Sequence, residues 1–327
     1  MSAITKAILL VGGKGTRLMP LTTNTPKPML KIAGAPVTEH QIIKAREAGI
    51  DEIVLATSYL AEVFEPHFGD GSRLGISIKY AFETEPLGTG GAISNAAQHL
   101  DLSSEESFFI FNGDVLSSHN LQAQSDLHFS SKAQVTLHLV EVEDARAYGC
   151  VPLDSEGRVQ DFLEKMDNPI AKTINAGCYI FNSSALAKIP SGVVTSVERE
   201  TFPKLLREKE EIFGYVDGGY WIDMGTPESM IRASRDLVVN PALSKATPPV
   251  SEGALKMREV NVHESARVGA GSYLEKGVVI EANSTVIGSI IGEKTHVESD
   301  VFIENSYIAP GTRVISGSKV RGEIFGF

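Results

Sequence analysis

From Val262 to Val320, aliphatic residues recur at a six-residue interval: Val262, Val268, Leu274, Ile280 and Val286. A five-residue step leads to Ile291, Val297 and Ile303, and a second such step to Ile308, Val314 and Val320. Small or turn-forming residues often stand three positions later, at Gly271, Gly277, Asn283, Asp300, Gly311 and Gly317. One inward aliphatic per six residues is the pattern of a hexapeptide β-helix, in which three units close a triangular coil and stacked coils share one core. A run of hairpins would also space Val and Ile regularly, but at a period of two and without turn residues in phase. We therefore expect residues 256–327 to form a small left-handed β-helix. A linker over 241–255 precedes it, with Pro241, Pro248, Pro249 and Gly253. The apolar stretch Ile324-Phe325-Gly326-Phe327 leaves a coil edge without a polar cap, which predicts a homo-oligomer formed through this domain.

Residues 1–240 follow a different rhythm, in which short apolar runs alternate with helical patterns. Strands are predicted over Ala7–Val11, Glu52–Thr57, Ile76–Ala81, Ser107–Phe111 and Gln134–Leu139, and helices over Thr38–Ala48, Tyr59–Phe68, Gly91–Leu100 and Leu121–Ser131. This order argues for a parallel, doubly wound α/β sheet, whose ligands sit beyond the carboxyl ends of the strands. Past Val140 the alternation stops. Val151–Leu153 and Arg158–Leu163 read as a hairpin, Thr173–Phe181 and Ile212–Val216 as strands. Pro227–Val239 reads as a helix capped by Thr226.

Charge narrows the partners. The 327 residues carry 30 Lys and Arg against 41 Asp and Glu, a formal net charge of −11. That balance argues against nucleic-acid or anionic-membrane binding. Yet residues 1–38 contain no acid, while Lys6, Lys14, Arg17, Lys27 and Lys31 all lie there. Such an island among glycines and prolines suits a small anion. Cys150 and Cys178 form no CxxC pair and read as buried thiols of a reducing cytoplasm. The apolar run Ala7–Val11 is too short for a signal or membrane segment.

Within the island, Gly12, Gly13 and Gly15 allow close backbone approach to phosphate, and Lys14, Arg17 and Lys27 add charge. The order is neither that of a Walker loop nor GxGxxG. Asp114 follows the most apolar strand, where an unpaired carboxylate is costly unless it meets a cation. Asp223 stands in another strand-to-helix turn, and either aspartate could instead be a capping or turn residue. The eight histidines lie at no metal-ligand spacing, and no GxSxG elbow occurs.

The string GGKGTRL, followed by PLT and PKPM, resembles the signature loop of the sugar-1-phosphate nucleotidyltransferases. Further matches extend over the chain: Glu85-Pro86-Leu87-Gly88-Thr89, Phe111-Asn112-Gly113-Asp114, Tyr148-Gly149, Phe162-Leu163-Glu164-Lys165, Asn175-Ala176-Gly177 and Trp221-Ile222-Asp223-Met224-Gly225-Thr226-Pro227. Within that family the combination is most similar to the mannose-1-phosphate guanylyltransferases. Val11, where many relatives have a small residue, and Met166, where proline is common, depart from the pattern.

The resemblance implies a Rossmann-like mixed-sheet nucleotidyltransferase domain over 1–240, then the linker and the β-helix. It implies nucleotide binding by Gly12, Gly13, Lys14, Gly15, Thr16, Glu85, Leu87, Gly88 and Thr89. Arg17 and Lys27 become catalytic, and Asp114 and Asp223 hold Mg²⁺. Gly149, Glu164, Lys165 and Asn175 hold the sugar phosphate. The implied reaction is in-line attack of a sugar 1-phosphate on an NTP, with GTP and mannose 1-phosphate as first choice. Uridylyl or thymidylyl transfer to glucose 1-phosphate is the alternative, and a non-catalytic nucleotide-sugar-binding subunit a remoter one.

Overall fold

The structure, a computed structural model, describes residues 3–163 and 165–327. The chain divides into two compact units, Met1–Lys14 with Lys44–Trp221 and Gly15–Ile43 with Ile222–Phe327.

The first unit is built on seven strands: β1 Lys6–Leu10, β2 Glu52–Thr57, β3 Ser77–Phe82, β4 Ser107–Asn112, β5 Val135–Glu141, β6 Thr173–Asn182 and β7 Ile212–Val216. They form one sheet in the order β7-β5-β6-β4-β1-β2-β3. Central strands buried on both faces must be apolar throughout. Accordingly Ala7 to Leu9 and Ile53 to Leu55 are fully buried. Helix α1 covers Val37–Glu47, α2 Gly88–Ala97, α3 Leu121–Ser130 and α4 Pro227–Val239.

The sheet is mixed, as the family resemblance implies, rather than all-parallel. β1, β2, β3 and β4 pair in parallel, as do β5 and β7. β6 runs antiparallel to both β4 and β5. The cause lies in the connection. Parallel neighbours need a crossover, usually a helix. The segment between β5 and β6 instead holds the predicted hairpin, closed by bridges Cys150 to Leu163 and Leu153 to Val159. The predicted helix over Tyr59–Phe68 is broken. Leu60 takes a left-handed φ of 51°, a 3₁₀ turn covers Ala61–Val63, and a helix covers only Phe64–Phe68. Pro66 lacks the N–H needed to continue a helix begun at Tyr59.

In the second unit, α4 begins at the predicted residue. Thr226 caps it by accepting from the Ser229 N–H, and the Ser229 side chain accepts in return from the Thr226 N–H. Met230, Ile231, Leu237 and Val238 are buried on its inner side, and it packs on strands Ala254–Lys256 and Ser272–Leu274. Those strands belong to the β-helix, whose parallel rungs stack in three sheets of five, four and four strands. Val262 pairs with Ile280, Ile280 with Val297 and Val297 with Val314, so the repeating aliphatics stack coil upon coil. Gly271, Gly277, Asn283, Asp300, Gly311 and Gly317 all adopt positive φ, the backbone a corner requires. Buried serines bind successive coils: the Ser306 N–H donates to Ser289 Oγ (3.1 Å) and the Glu323 N–H to Ser306 Oγ (3.2 Å). No helix among the described residues is long and apolar enough to cross a membrane.

Candidate active site

In the first unit the chemistry-bearing turns stand at the carboxyl ends of β1 and β4. Val11, just past the end of β1, stays bonded to β2, its N–H donating to the Ala56 carbonyl (2.9 Å). Gly12 follows, packed against Ser58, whereas a side chain on Gly13 would meet open space. Packing within the chain therefore explains the first glycine and not the second. Lys14 is exposed. At the end of β4, the Gly113 N–H donates to the Leu10 carbonyl (2.9 Å), which ties the Asn112–Asp114 turn to β1. Asp114 is half-buried.

The segment Glu85–Thr89 runs into α2 and is anchored from a distance. Gly88 has φ 72°, and a Cβ there would stand 2.6 Å from the Thr195 carbonyl. That same carbonyl accepts from the Gly90 N–H (2.8 Å), so glycine is required for the approach. The Thr195 N–H donates to the Leu87 carbonyl (2.9 Å). Thr89 Oγ1 donates to Glu198 Oε2 (2.8 Å) and accepts from the Val197 N–H (2.8 Å). The Leu87 N–H donates to Glu83 Oε2 (3.3 Å), and burial raises the Glu83 carboxyl above the usual range. Glu85 itself is exposed.

The Glu198 carboxylate also reaches the next motif. Tyr179 Oη donates to Glu198 Oε1 (3.3 Å) and accepts from Asn175 Nδ2 (2.8 Å). Asn175 Oδ1 in turn takes the Gly177 N–H (3.0 Å). Burial and the nearby Glu198 charge push the Tyr179 phenol well above its ordinary pKa, so it stays a neutral relay. Trp221 Nε1 donates to the Ala176 carbonyl (3.0 Å), and Tyr148 meets the Trp221 ring edge-on at 5.8 Å. Gly149 is buried beside Cys150, whose bridge to Leu163 brings the Tyr148-Gly149 and Phe162-Leu163 motifs side by side. Lys165 is exposed. Glu164 lies outside the described residues.

In the second unit another group of motif residues converges. Gly15 packs against the Lys27 stem, and Thr22 Oγ1 donates to the Gly15 carbonyl (2.9 Å). The 3₁₀ turn Thr16–Leu18 then presents Thr16 and Arg17 at the surface. Lys27 is buried, an unusual fate for lysine. Its Nζ lies 3.9 Å from Asp223 Oδ1, at the end of the strand Trp221–Asp223. The Arg17 guanidinium lies against Gly225, about 3.0 Å from where a Cβ would stand there. Arg17, Lys27, Asp223 and Gly225 thus gather from two distant stretches of chain.

Asp114 and Asp223 offer only hard carboxylate oxygens, the donors that Mg²⁺ prefers. Among the described residues no three or more His, Cys, Asp or Glu side chains group as a metal cage.

Three contributors escaped the sequence reading. Glu198 and Thr195 sit in a stretch with no motif and act only through residues far away in the chain. The third is Lys44, buried in α1, which donates to Ser117 Oγ (3.0 Å) and bonds His119 Nδ1 (3.0 Å). Burial pushes its amine down to about 8. Ser117 lies three residues beyond Asp114, so this contact fixes the strand leaving the turn. His119 and His138, stacked 3.6 Å apart, are kept neutral by burial and by Lys44.

The chain matches the family described as nucleotidyl transferase over residues 6–239. It is 47% identical over 298 residues to a mannose-1-phosphate guanylyltransferase of Mycobacterium tuberculosis, covering 87% of this chain and 82% of the relative. It is 35% identical over 324 residues to mannose-1-phosphate guanylyltransferase 1 of Arabidopsis thaliana, covering 98% and 86%. Among solved structures, HddC from Yersinia pseudotuberculosis complexed with GMP-PN superposes with a TM-score of 0.60 at 28% identity, covering 72% of this chain and 100% of that one.

Proposed function

The chain belongs to the nucleotidyl transferase family, and on that premise we propose that it transfers the guanylyl group of GTP to mannose 1-phosphate, giving GDP-mannose and pyrophosphate. The observation that carries the chemistry is the meeting of Arg17, buried Lys27 and Asp223 in one unit. One cation near the Asp223 carboxylate and a second against Gly225, two residues on, suit a reaction that needs positioning and charge neutralisation more than covalent help. The base and sugar follow from the guanylyltransferase relatives.

In this reading the triphosphate lies along Gly12, Gly13, Lys14, Gly15 and Thr16, with the open space at Gly13 left for ligand. Glu85, Leu87, Gly88 and Thr89 hold the base. Asp114 and Asp223 would hold Mg²⁺, which neutralises phosphate charge when bound. Gly149, Asn175, Glu164 and Lys165 receive the sugar phosphate, and Lys165 aligns it for attack on the α-phosphorus. The bond from α-phosphorus to the bridging oxygen breaks as the new one forms, and Arg17 and Lys27 balance the charge on the departing pyrophosphate. We assign the catalytic region to 1–240, the linker to 241–255 and the β-helix to 256–327. The protein is taken to be cytoplasmic and self-associating through the β-helix.

Pyrophosphate release over four NTPs and several sugar 1-phosphates tests this. The highest kcat/KM is expected for GTP with mannose 1-phosphate. A maximum for UTP or dTTP with glucose 1-phosphate would establish the alternative, and no turnover with any pair would reject an enzyme. Lys165→Ala is expected to raise the KM for sugar phosphate about tenfold while leaving that for NTP nearly unchanged, the loss of one charge-assisted contact. Equal rises in both would remove Lys165 from the sugar-phosphate site.

A further inference from the structure

The short strand Lys31–Ile32 begins four residues after Lys27 and turns back on Ala35–Pro36. Its surroundings all belong to the second unit. The Ala33 N–H donates to Ser234 Oγ of α4 (3.0 Å). Gly34 packs against Pro248 and Leu255. His40 bonds the Ile32 carbonyl (2.9 Å) through one ring nitrogen and Ser244 Oγ (2.7 Å) through the other. Finally, Lys31 Nζ lies 3.5 Å from Glu275 Oε2.

Glu275 is an unexpected residue where it stands. It follows the inward Leu274 on a β-helix coil, and its N–H donates to the Ile291 carbonyl of the next coil (2.9 Å). Only 7% of it is exposed. Coils need no buried carboxylate for their own packing, and burying one is costly unless it is paired. Burial raises its carboxyl above the usual range, and Lys31 opposes that rise. The pair therefore joins a rigid coil to the strap that carries Lys27.

We propose that Glu275 is a positioning residue for nucleotide binding, through which the β-helix holds the Lys31 strand and thereby sets Lys27 and Arg17 for the triphosphate. The β-helix then serves the reaction directly, in addition to any role in assembly. The inference rests on the proposed function in taking the strap as the triphosphate site.

Steady-state kinetics of the full chain test it. Glu275→Gln is expected to raise the KM for GTP about fivefold, the scale of one partly buried charge pair. The KM for mannose 1-phosphate and kcat should stay within about twofold, as an effect confined to nucleotide binding requires. Lys31→Met should do the same, and the double variant should be no worse than either single one. An unchanged KM for GTP, equal rises for both substrates, or additive effects would overturn the proposal. Lys31 is half-exposed, so Lys31→Met decides the matter if Glu275→Gln fails to fold. Should the wild-type chain turn over no substrate pair, the functional reading fails. Equilibrium dialysis of GTP still tests the inference, with the same fivefold weakening expected.

Discussion

Asp223→Asn is expected to lower kcat about 10³-fold at saturating Mg²⁺ and leave the melting temperature within about 2 °C of wild type. Asparagine keeps the shape of the side chain and removes its charge. The Asp223 side chain is 28% exposed, at the end of a short strand, with Lys27 Nζ 3.9 Å from its Oδ1. Asparagine fills the same volume and keeps one oxygen acceptor, so the fold should tolerate the change. On the proposed reading nucleotidyl transfer depends heavily on the charge, because Mg²⁺ would lose an oxygen donor where charge moves in the transition state. A rate near that of wild type would take Asp223 out of the reaction. A large fall in melting temperature would make it a structural residue instead.

Gly113→Ala is the second large effect, and it acts through the backbone. A Cβ at residue 113 would stand 2.3 Å from the Leu10 carbonyl oxygen and 3.0 Å from Val11 Cγ1. The carbonyl cannot easily retreat. Leu10 is paired with Ala56 on one side and Asn112 on the other. The strain is expected to cost about 2–3 kcal/mol in stability, the upper range for overpacking. Asp114 is the next residue, so its carboxylate should move by a fraction of an ångström or more. A misplacement of about 1 Å can cost 10²-fold in rate, and kcat should fall on that scale. Denaturant titration and kinetics check both parts. Stability within about 0.5 kcal/mol of wild type would show that the β1–β4 turn is looser than its geometry indicates.

The two substitutions differ in how visible their sites are in the primary structure. Asp223 is conspicuous because it lies in WxDxGTP, where the helix start at Thr226 can be read from capping chemistry alone. Gly113 is visible as a turn residue, but its closeness to Leu10 depends on which strands are neighbours. Asn175 was legible as a motif residue, whereas its hydroxyl partner Tyr179 and the carboxylate beyond, Glu198, were not. The first bond lies within β6, between residues four apart on an apolar strand, and the second joins β6 to a stretch that carries no motif. The antiparallel direction of β6 was likewise not legible in the apolar run itself. It follows from a connection without a crossover helix, which the alternation of residues 1–140 does not contain.

The β-helix and the α4 start were determined by the sequence itself, because both follow from short-range rules. A coil turns every six residues, and its aliphatics, corner residues and serines repeat with it. A helix start needs only a cap, a proline and an apolar face. The segment over residues 15–43 is the opposite case. Its glycines and lysines could be read as an anion site, but nothing in residues 15–43 says what holds them. Tertiary structure places that segment with Ile222–Phe327. Lys27 meets Asp223 and Lys31 meets Glu275. The physical reason is that a buried charge selects its partner by distance in space, and separation along the chain leaves no periodic trace of that choice.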